Sequence, residues 1–413
     1  MPPQFRQAKD IKLVCTFGMT GVLESQIPPD KMCDFIFYTH MYYDTKRKAI
    51  IFEYGDTAGS QFTNAAKSYT STTFGASLAV SLRPAYPPAE KDNIKKAMEN
   101  LMNDKIMHFG TLNVDVRDYN AAKSGGLQYL KIIELQSVRH FGATTRADQP
   151  ESASVPPTTI VLSLNRDPGK FNGADEIDFK EWLRQYERVV GEVLQGKTSD
   201  HHCALGIFNA SDGASLVSIA KSAASDFPEI TMLILKVHSE MASQKSKLYT
   251  MPPNPDNEDV SQYDMIPLKD VKSHLSSLTG ITDRGRYVML SVGMFARAYQ
   301  INGGQLGIAN TSAVLDYHSA CVCESGICER RTGSPYDSMD VTVSVWSQNT
   351  IVFFDNIDQI KTKAQSRLDA LPKNYSGIAA YNVEMDDFGA KCGSSKFGRL
   401  NAIRERVDHA LTP

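Results

Sequence analysis

What this 413-residue chain lacks narrows its reading first. Charge of one sign is missing: the formal net charge is −3 at neutral pH. There is no basic stripe and no run of like charge, so nothing steers the chain to nucleic acid or to an anionic membrane surface. No apolar stretch approaches the ~18 to 20 residues of a membrane helix, and no internal repeat or low-complexity tract breaks the pattern. The first ten residues, MPPQFRQAKD, lack the apolar core of a signal peptide. Either the protein is cytosolic or a leader precedes residue 1. The cluster CVCESGIC has only His318 nearby and no second C-x-x-C, which argues against a zinc knuckle and for a disulfide-stapled loop. No metal and no cofactor is expected.

What is present points outside the cell. Seven cysteines (Cys15, Cys33, Cys203, Cys321, Cys323, Cys328 and Cys392) suit an oxidising compartment. Three sequons, at Asn209, Asn310 and Asn374, fit a secreted, extracellular glycoprotein. A hydrophobic content of 42% is ample for one large core or two medium ones. Short β-rich apolar runs recur from Ile11, Cys33, Ala76, Gly110, Thr158, Cys203, Ile230, Tyr287 and Gly377. Nearly continuous apolar runs of this length suit strands buried on both faces. The stretches between them carry helical period: Phe179, Trp182, Leu183, Tyr186, Val189, Val190 and Val193 share a side, as do Ile357, Ile360, Ala364 and Leu368. Regular β/α alternation implies a parallel sheet covered by helices. Eight such units close a (β/α)8 TIM barrel, so one of the nine runs is extra. The expected organisation is residues 1–300 as barrel strands 1 to 7, 301–345 as a short insertion after strand 7, and 346–413 as the last strand and closing helix.

The C-terminal residues resemble those of glycoside hydrolase family 18, the chitinases and their inactive relatives. In that family the last strand ends in a tryptophan, followed by an Asp-Asp-Phe turn and a cysteine. Here Tyr381 holds the tryptophan place, and Asp386, Asp387, Phe388 and Cys392 follow. GITDRGRYVMLSVGMFARAY resembles the seventh strand, with Gly293, Phe295 and Arg297 at cleft-lining places, and KLVCTF with IPPDKMCDFIFYTHM resembles the first two strands. The resemblance implies disulfides Cys15–Cys33 and Cys321–Cys392, with Cys323–Cys328 as a local pair and Cys203 left as a buried thiol. It also makes Asp386 and Asp387 structural.

The family's reaction needs carboxylates on the fourth strand, three of them on alternate residues facing the barrel mouth. Two segments compete for that strand. In one the three places are Asn113, Asp115 and Arg117; in the other they are Leu162, Leu164 and Arg166. Either puts arginine where the general acid belongs, and a guanidinium stays protonated. Asp118 and Asp167 lie one residue further on, which turns them to the opposite face. The Tyr-Asp pair of the sixth strand is replaced by LKVHSEM, which brings His238 and Glu240. No catalytic residue is therefore assigned. The resemblance implies a pseudoenzyme that binds a glycan, an amino sugar, or a protein partner, with Tyr381, Phe295, Arg297 and His238 as candidate ligand residues. Arg117, Arg166 and Arg297 could form a basic mouth for an acidic sugar or acidic loop, or each could pair with a carboxylate such as Asp118, Asp167 or Glu384. DHHC, residues 200–203, reads as a solvated loop rather than a metal site. The alternatives are a glycosidase with relocated acids, and a structural or storage protein whose mouth is filled by Leu162 and Leu164.

Overall fold

The computed structural model describes residues 10–18, 23–44, 46–52, 55–78, 91–115, 188, 190, 193, 201–208, 212–239, 248–256, 266–301, 308–317, 329–331, 341–347, 349–391 and 395–412. Eight parallel strands form a closed ring: β1 (Ile11–Phe17), β2 (Phe35–Asp44), β3 (Thr73–Leu78), β4 (Ile106–Asp115), β5 (Cys203–Phe208), β6 (Ile230–Leu235), β7 (Tyr287–Gly293) and β8 (Ser376–Tyr381). Each pairs with its sequence neighbours, and β1 closes on both β2 and β8. This is the (β/α)8 barrel that the alternating runs imply. The ring closes on eight of the nine runs, so the fourth strand is the segment carrying Asn113 and Asp115. Residues 158–169 lie outside the described residues.

The interior of the ring is largely apolar. Val14, Phe35, Phe37, Leu112, Ala204, Met232, Ile234, Met289, Ala379 and Tyr381 fill it, while the other strand faces pack under the helices. Those helices include α1 (Asp56–Ser68), α2 (Lys91–Asn103), α3 (Gly213–Asp226), α4 (Ile357–Ala370) and α5 (Gly398–Leu411). Asp212 caps α3 by accepting from Ser215 N–H at 2.7 Å, and Asn356 with Gln359 forms a capping box on α4. The inner face of α4 differs from the expected one. Ile360 and Ala364 are buried, but Ile357 is exposed, and Lys363 and Arg367 are fully buried instead. The reason is electrostatic: each has a carboxylate to meet, described below.

A six-stranded antiparallel sheet stands beside the barrel. Its order is Glu329–Arg331, Thr342–Ser347, Thr350–Phe354, Ala296–Ile301, Ile308–Leu315 and Leu248–Tyr249. It draws on 301–345 itself, on both flanks of that stretch and on the segment after β6. The disulfide Cys15–Cys33 ties β1 to the approach to β2, and Cys203 is buried at the start of β5 outside that bridge. Cys321, Cys323, Cys328 and Cys392 lie outside the described residues. No described helix is long and apolar enough to cross a membrane.

Candidate binding site at the barrel mouth

In a barrel of this kind the functional end is the C-terminal end of the strands. There β4 is irregular. Its ladder with β5 shifts between Thr111 and Val114. Leu112 packs into the inner cluster, and the next residue, Asn113, bonds across the mouth. A regular strand would send one of the two outward; a bulge re-aims it.

Asn113 is the centre of a hydrogen-bonded chain. Lys236, directly after β6, donates from Nζ to Asn113 Oδ1 at 2.5 Å. An ammonium can only donate, so the amide oxygen faces it and the amide nitrogen faces His40 on β2. Asn113 Nδ2 is 2.7 Å from His40 Nε2, which therefore accepts. The ring proton then sits on Nδ1 and is donated to Ser77 Oγ of β3 at 3.1 Å. Ser77 Oγ also accepts from Leu112 N–H at 3.0 Å. Four strand ends are locked by this one chain. Burial, reinforced by the Lys236 charge, holds the His40 pKa down to about 3, so the imidazole is neutral.

Lys236 is held on a second side by aromatic faces. Its Nζ lies 4.6 Å from the Tyr381 ring centroid and 4.9 Å from that of Phe208. Such faces stabilise a desolvated cation by about 2 kcal/mol. Tyr381 reaches across the barrel and donates its hydroxyl to Leu112 O at 3.2 Å. That crossing requires glycine at 206 on β5, since a Cβ there would stand 2.8 Å from the Tyr381 hydroxyl and 2.5 Å from Leu112 O. The His238 ring packs 4.7 Å from Tyr381 and 6.2 Å from Phe295. Its Nδ1 lies 2.6 Å from Ser291 Oγ, which also accepts from Val237 N–H at 2.8 Å. Burial first, then the charges of Lys236, Arg367 and Arg297, push the His238 pKa well below its ordinary value.

A buried ionic frame supports this end from outside. Asn254 Nδ2 donates to Asp355 Oδ2 at 2.7 Å and to Gly293 O, while its Oδ1 accepts from Gly293 N–H. Lys363 of α4 pairs with Asp355 at 2.7 Å, and Arg367 pairs with Asp256 at 2.8 Å and donates to Ser291 O. Arg399 of α5 pairs with Asp386 at 2.9 Å, and its guanidinium lies 3.8 Å from the Tyr317 ring centroid. The other Asp386 oxygen accepts from Leu400 N–H, capping α5, and Asp387 accepts from Lys391 N–H. Both aspartates are structural groups.

The structure thus brings Asn113, His238, Phe295 and Tyr381 together, with Arg297 buried and close enough to act on His238. Asp115 ends β4. Arg117, Leu162, Leu164 and Arg166 lie outside the described residues, as does Asn209. Asn310 is exposed on the second sheet, and Asn374 is half-buried before β8. Sequence reading missed Lys236, His40, Ser77 and Ser291. The available signal was a polar residue at the C-terminal end of an apolar run, as in ITMLILKV and FIFYTHM. His201 and His202 are not in a solvated loop: they sit half-buried at the opposite end of the barrel, where His202 stacks on His108 with ring centroids 5.5 Å apart. Their backbone leads straight into β5, which holds them against the neighbouring strand starts. Among the described residues no group of three His, Cys, Asp or Glu side chains could hold a metal ion.

No family model and no curated protein matches the sequence. Solved structures do match the fold over nearly the whole chain. A Group IV chitinase of Ostrinia furnacalis in complex with allosamidin is similar at a TM-score of 0.59 and 13% identity, covering 97% of this chain and 100% of that one. Human YKL-39, described as a pseudo-chitinase with retained chitooligosaccharide binding properties, is similar at 0.63 and 12%, with 97% and 100% covered. A family 18 chitinase of Cycas revoluta in complex with (GlcNAc)3 is similar at 0.54 and 8%, with 95% and 99% covered. The structural neighbours are therefore family 18 chitinases and a chitinase-like pseudoenzyme, and at these identities what is shared is the fold.

Proposed function

We propose that this protein is a secreted chitinase-like pseudoenzyme that binds an amino-sugar glycan at the barrel mouth and does not hydrolyse it. The observation that carries this reading is the Lys236–Asn113–His40 chain. Asn113 is neutral at the first of the three β4 positions from which the resembling family presents carboxylates. An ammonium, with Tyr381 and Phe208 at its sides, stands against it. A general acid must hold its proton near neutral pH, which calls for a raised carboxyl pKa. A lysine ammonium within a few ångströms moves a carboxyl the other way and keeps it ionised. The same argument weighs against a glycosidase with relocated acids in this chain, since a carboxyl brought beside Lys236 stays ionised.

The binding half rests on the retained frame: Tyr381, Phe295, His238 and Arg297 converge as a polar and aromatic lining of the kind that orients sugars. The test pairs calorimetric titration of the full chain with chitotetraose and a sensitive assay for released sugar. Binding without release is expected, and Phe295→Ala should weaken it. Sugar release that disappears in Asp115→Asn or Asp118→Asn would overturn the non-hydrolytic half. Failure to bind any member of a broad glycan panel would overturn the binding half.

A further inference from the structure

We infer that the hairpin beyond the barrel end of β2 is a docking point for a sulfated polysaccharide, held by Lys46, Arg47 and Lys48 at its tip. This goes beyond the amino-sugar reading and shares with it only the extracellular setting. β2 does not stop at the mouth. From His40 it runs four residues further, about 13 Å. Ala49–Phe52 then returns antiparallel, pairing Phe52 with Met41, Ile51 with Tyr42, Ile50 with Tyr43 and Ala49 with Asp44. Met41, Tyr43 and Ile50 are buried, and α1 and α2 pack against the returning strand. The hairpin is therefore anchored along its length.

Its turn displays cations. Lys46, Arg47 and Lys48 are all exposed. Three residues are too few to stand out along the sequence; the turn is what presents them together. Asp44 Oδ1 accepts from Lys46 N–H at 2.8 Å and from Arg47 N–H at 3.1 Å, the local bonding by which aspartate shapes a turn. The other Asp44 oxygen lies 3.8 Å from Arg47 Nε, on a side chain that is 66% exposed. No ion pair among the described residues involves Lys46 or Lys48. Lys48 has a φ of +51°, in the left-handed region that glycine takes readily and L side chains rarely adopt. A cation thus stands where the backbone favours glycine, and an outlier of that kind points to a use for the side chain.

The partner follows from what the tip has and lacks. A folded protein needs ~800 Å² per side around apolar or aromatic anchors. The exposed large apolar side chains among the described residues are Leu23, Ile357 and Leu411, none of them in the hairpin. A membrane surface calls for clusters of about four to eight Lys and Arg. A flexible chain that repeats an ionised group needs neither area nor a lipid plane. It needs fixed cations, whose charge-assisted bonds are roughly twice as strong as neutral ones. Outside the cell, a sulfated polysaccharide is such a chain.

The test is binding of the full chain to dextran sulfate across a salt series. Unsulfated dextran, poly-glutamate and phosphatidylserine vesicles are the other arms. Dextran sulfate should bind more tightly than all three and weaken steeply as salt rises. Lys46→Gln, Arg47→Gln and Lys48→Gln should each weaken it roughly fivefold, and the triple variant roughly 100-fold. Lys48→Gly should weaken binding as Lys48→Gln does yet unfold at no lower temperature, because glycine suits the left-handed backbone. Lys48→Arg should keep the affinity. No binding of dextran sulfate, or binding that the triple variant retains, would overturn the inference. So would equal or tighter binding of poly-glutamate or of the vesicles, which would make the partner an acidic protein segment or a lipid surface. Chitotetraose separates this failure from that of the amino-sugar reading. The triple variant should bind it as the wild type does, and loss of both ligands together would reduce the tip to a support of the mouth. Wild-type binding of dextran sulfate without chitotetraose would sink the amino-sugar reading alone.

Discussion

The two ends of the barrel both bury histidines, in opposite electrical surroundings. At the base, His108 accepts from His202 N–H at 3.1 Å and lies 2.8 Å from Thr73 Oγ1. His202 in turn lies 3.1 Å from Thr231 Oγ1, and Phe35 meets both rings edge-on at 5.0 and 5.1 Å. Imidazoles, hydroxyls and a backbone N–H satisfy one another there, with no lysine, arginine or carboxylate among these contacts. At the mouth, His40 belongs to a chain that ends on an ammonium, and His238 sits among three cations. The residue type is the same, and its role is decided by whether a fixed charge stands nearby. The base closes the strand starts with matched hydrogen bonds, which is a stabilising job. The mouth keeps charge in a buried setting, where it is screened little by solvent.

Cutting charge at the mouth end should therefore cost more than cutting an uncharged hydrogen bond at the base. Asp386→Ala removes the partner of fully buried Arg399 and the cap on Leu400 N–H. It should destabilise the protein by about 3–5 kcal/mol, the range for stranding one member of a buried ion pair. His108→Phe keeps the ring volume and strands the His202 N–H, so it should cost about 1–3 kcal/mol. Equilibrium denaturation of both variants checks the ranking. Equal losses would mean that the frame around Asp386 is no more ionic in practice than the base.

Much of this architecture can be read from the chain, because eight apolar runs give eight buried strands and a ring closes only when each finds two neighbours. The ninth run, from Thr158, has the same local composition as the others; only closure separates them. The pairing Cys15–Cys33 came through the family resemblance, and the structure contains it. Asn113 was visible as a departure from that family's carboxylates. Lys236 was not, because a lysine ending an apolar strand ordinarily reads as a solvated tip. Its acceptor lies 123 residues earlier, so only the closed ring brings them together. Lys363 and Arg367 carry no apolar signal of their own, and they are buried because each meets a carboxylate: Asp355, just ahead of α4, and Asp256, 111 residues before Arg367 in the segment after β6. Local pattern fixes which residues are apolar; which charges become buried depends on contacts between distant segments.

The pH dependence of stability separates the two ends most cleanly. His40, His108 and His238 all have pKa values depressed below 6.5 in the folded state, primarily by burial. Besides Thr73 and His202, the base histidine has His201 as its titratable neighbour; the mouth pair has Lys236, with Arg367 and Arg297 around His238. Below pH 6.5 the unfolded chain takes up protons that these folded sites refuse. Their stabilising contribution is therefore complete above that pH and falls as the solution becomes more acidic. Each site contributes a slope of about 1.4 kcal/mol per pH unit, which for His40 continues down to about pH 3. His108→Gln and His238→Gln should each flatten the acid limb of a stability–pH curve by that amount. Removing the Lys236 charge should change only one of them. Lys236→Met takes away one of the cations that lower the His238 pKa and relieves that share of the acid penalty, while His108, at the far end, is untouched. In the Lys236→Met background the acid limb that His238→Gln removes should end at a higher pH, and the limb that His108→Gln removes should be unchanged. If the substitution moves both limbs alike, the two ends are not electrically distinct.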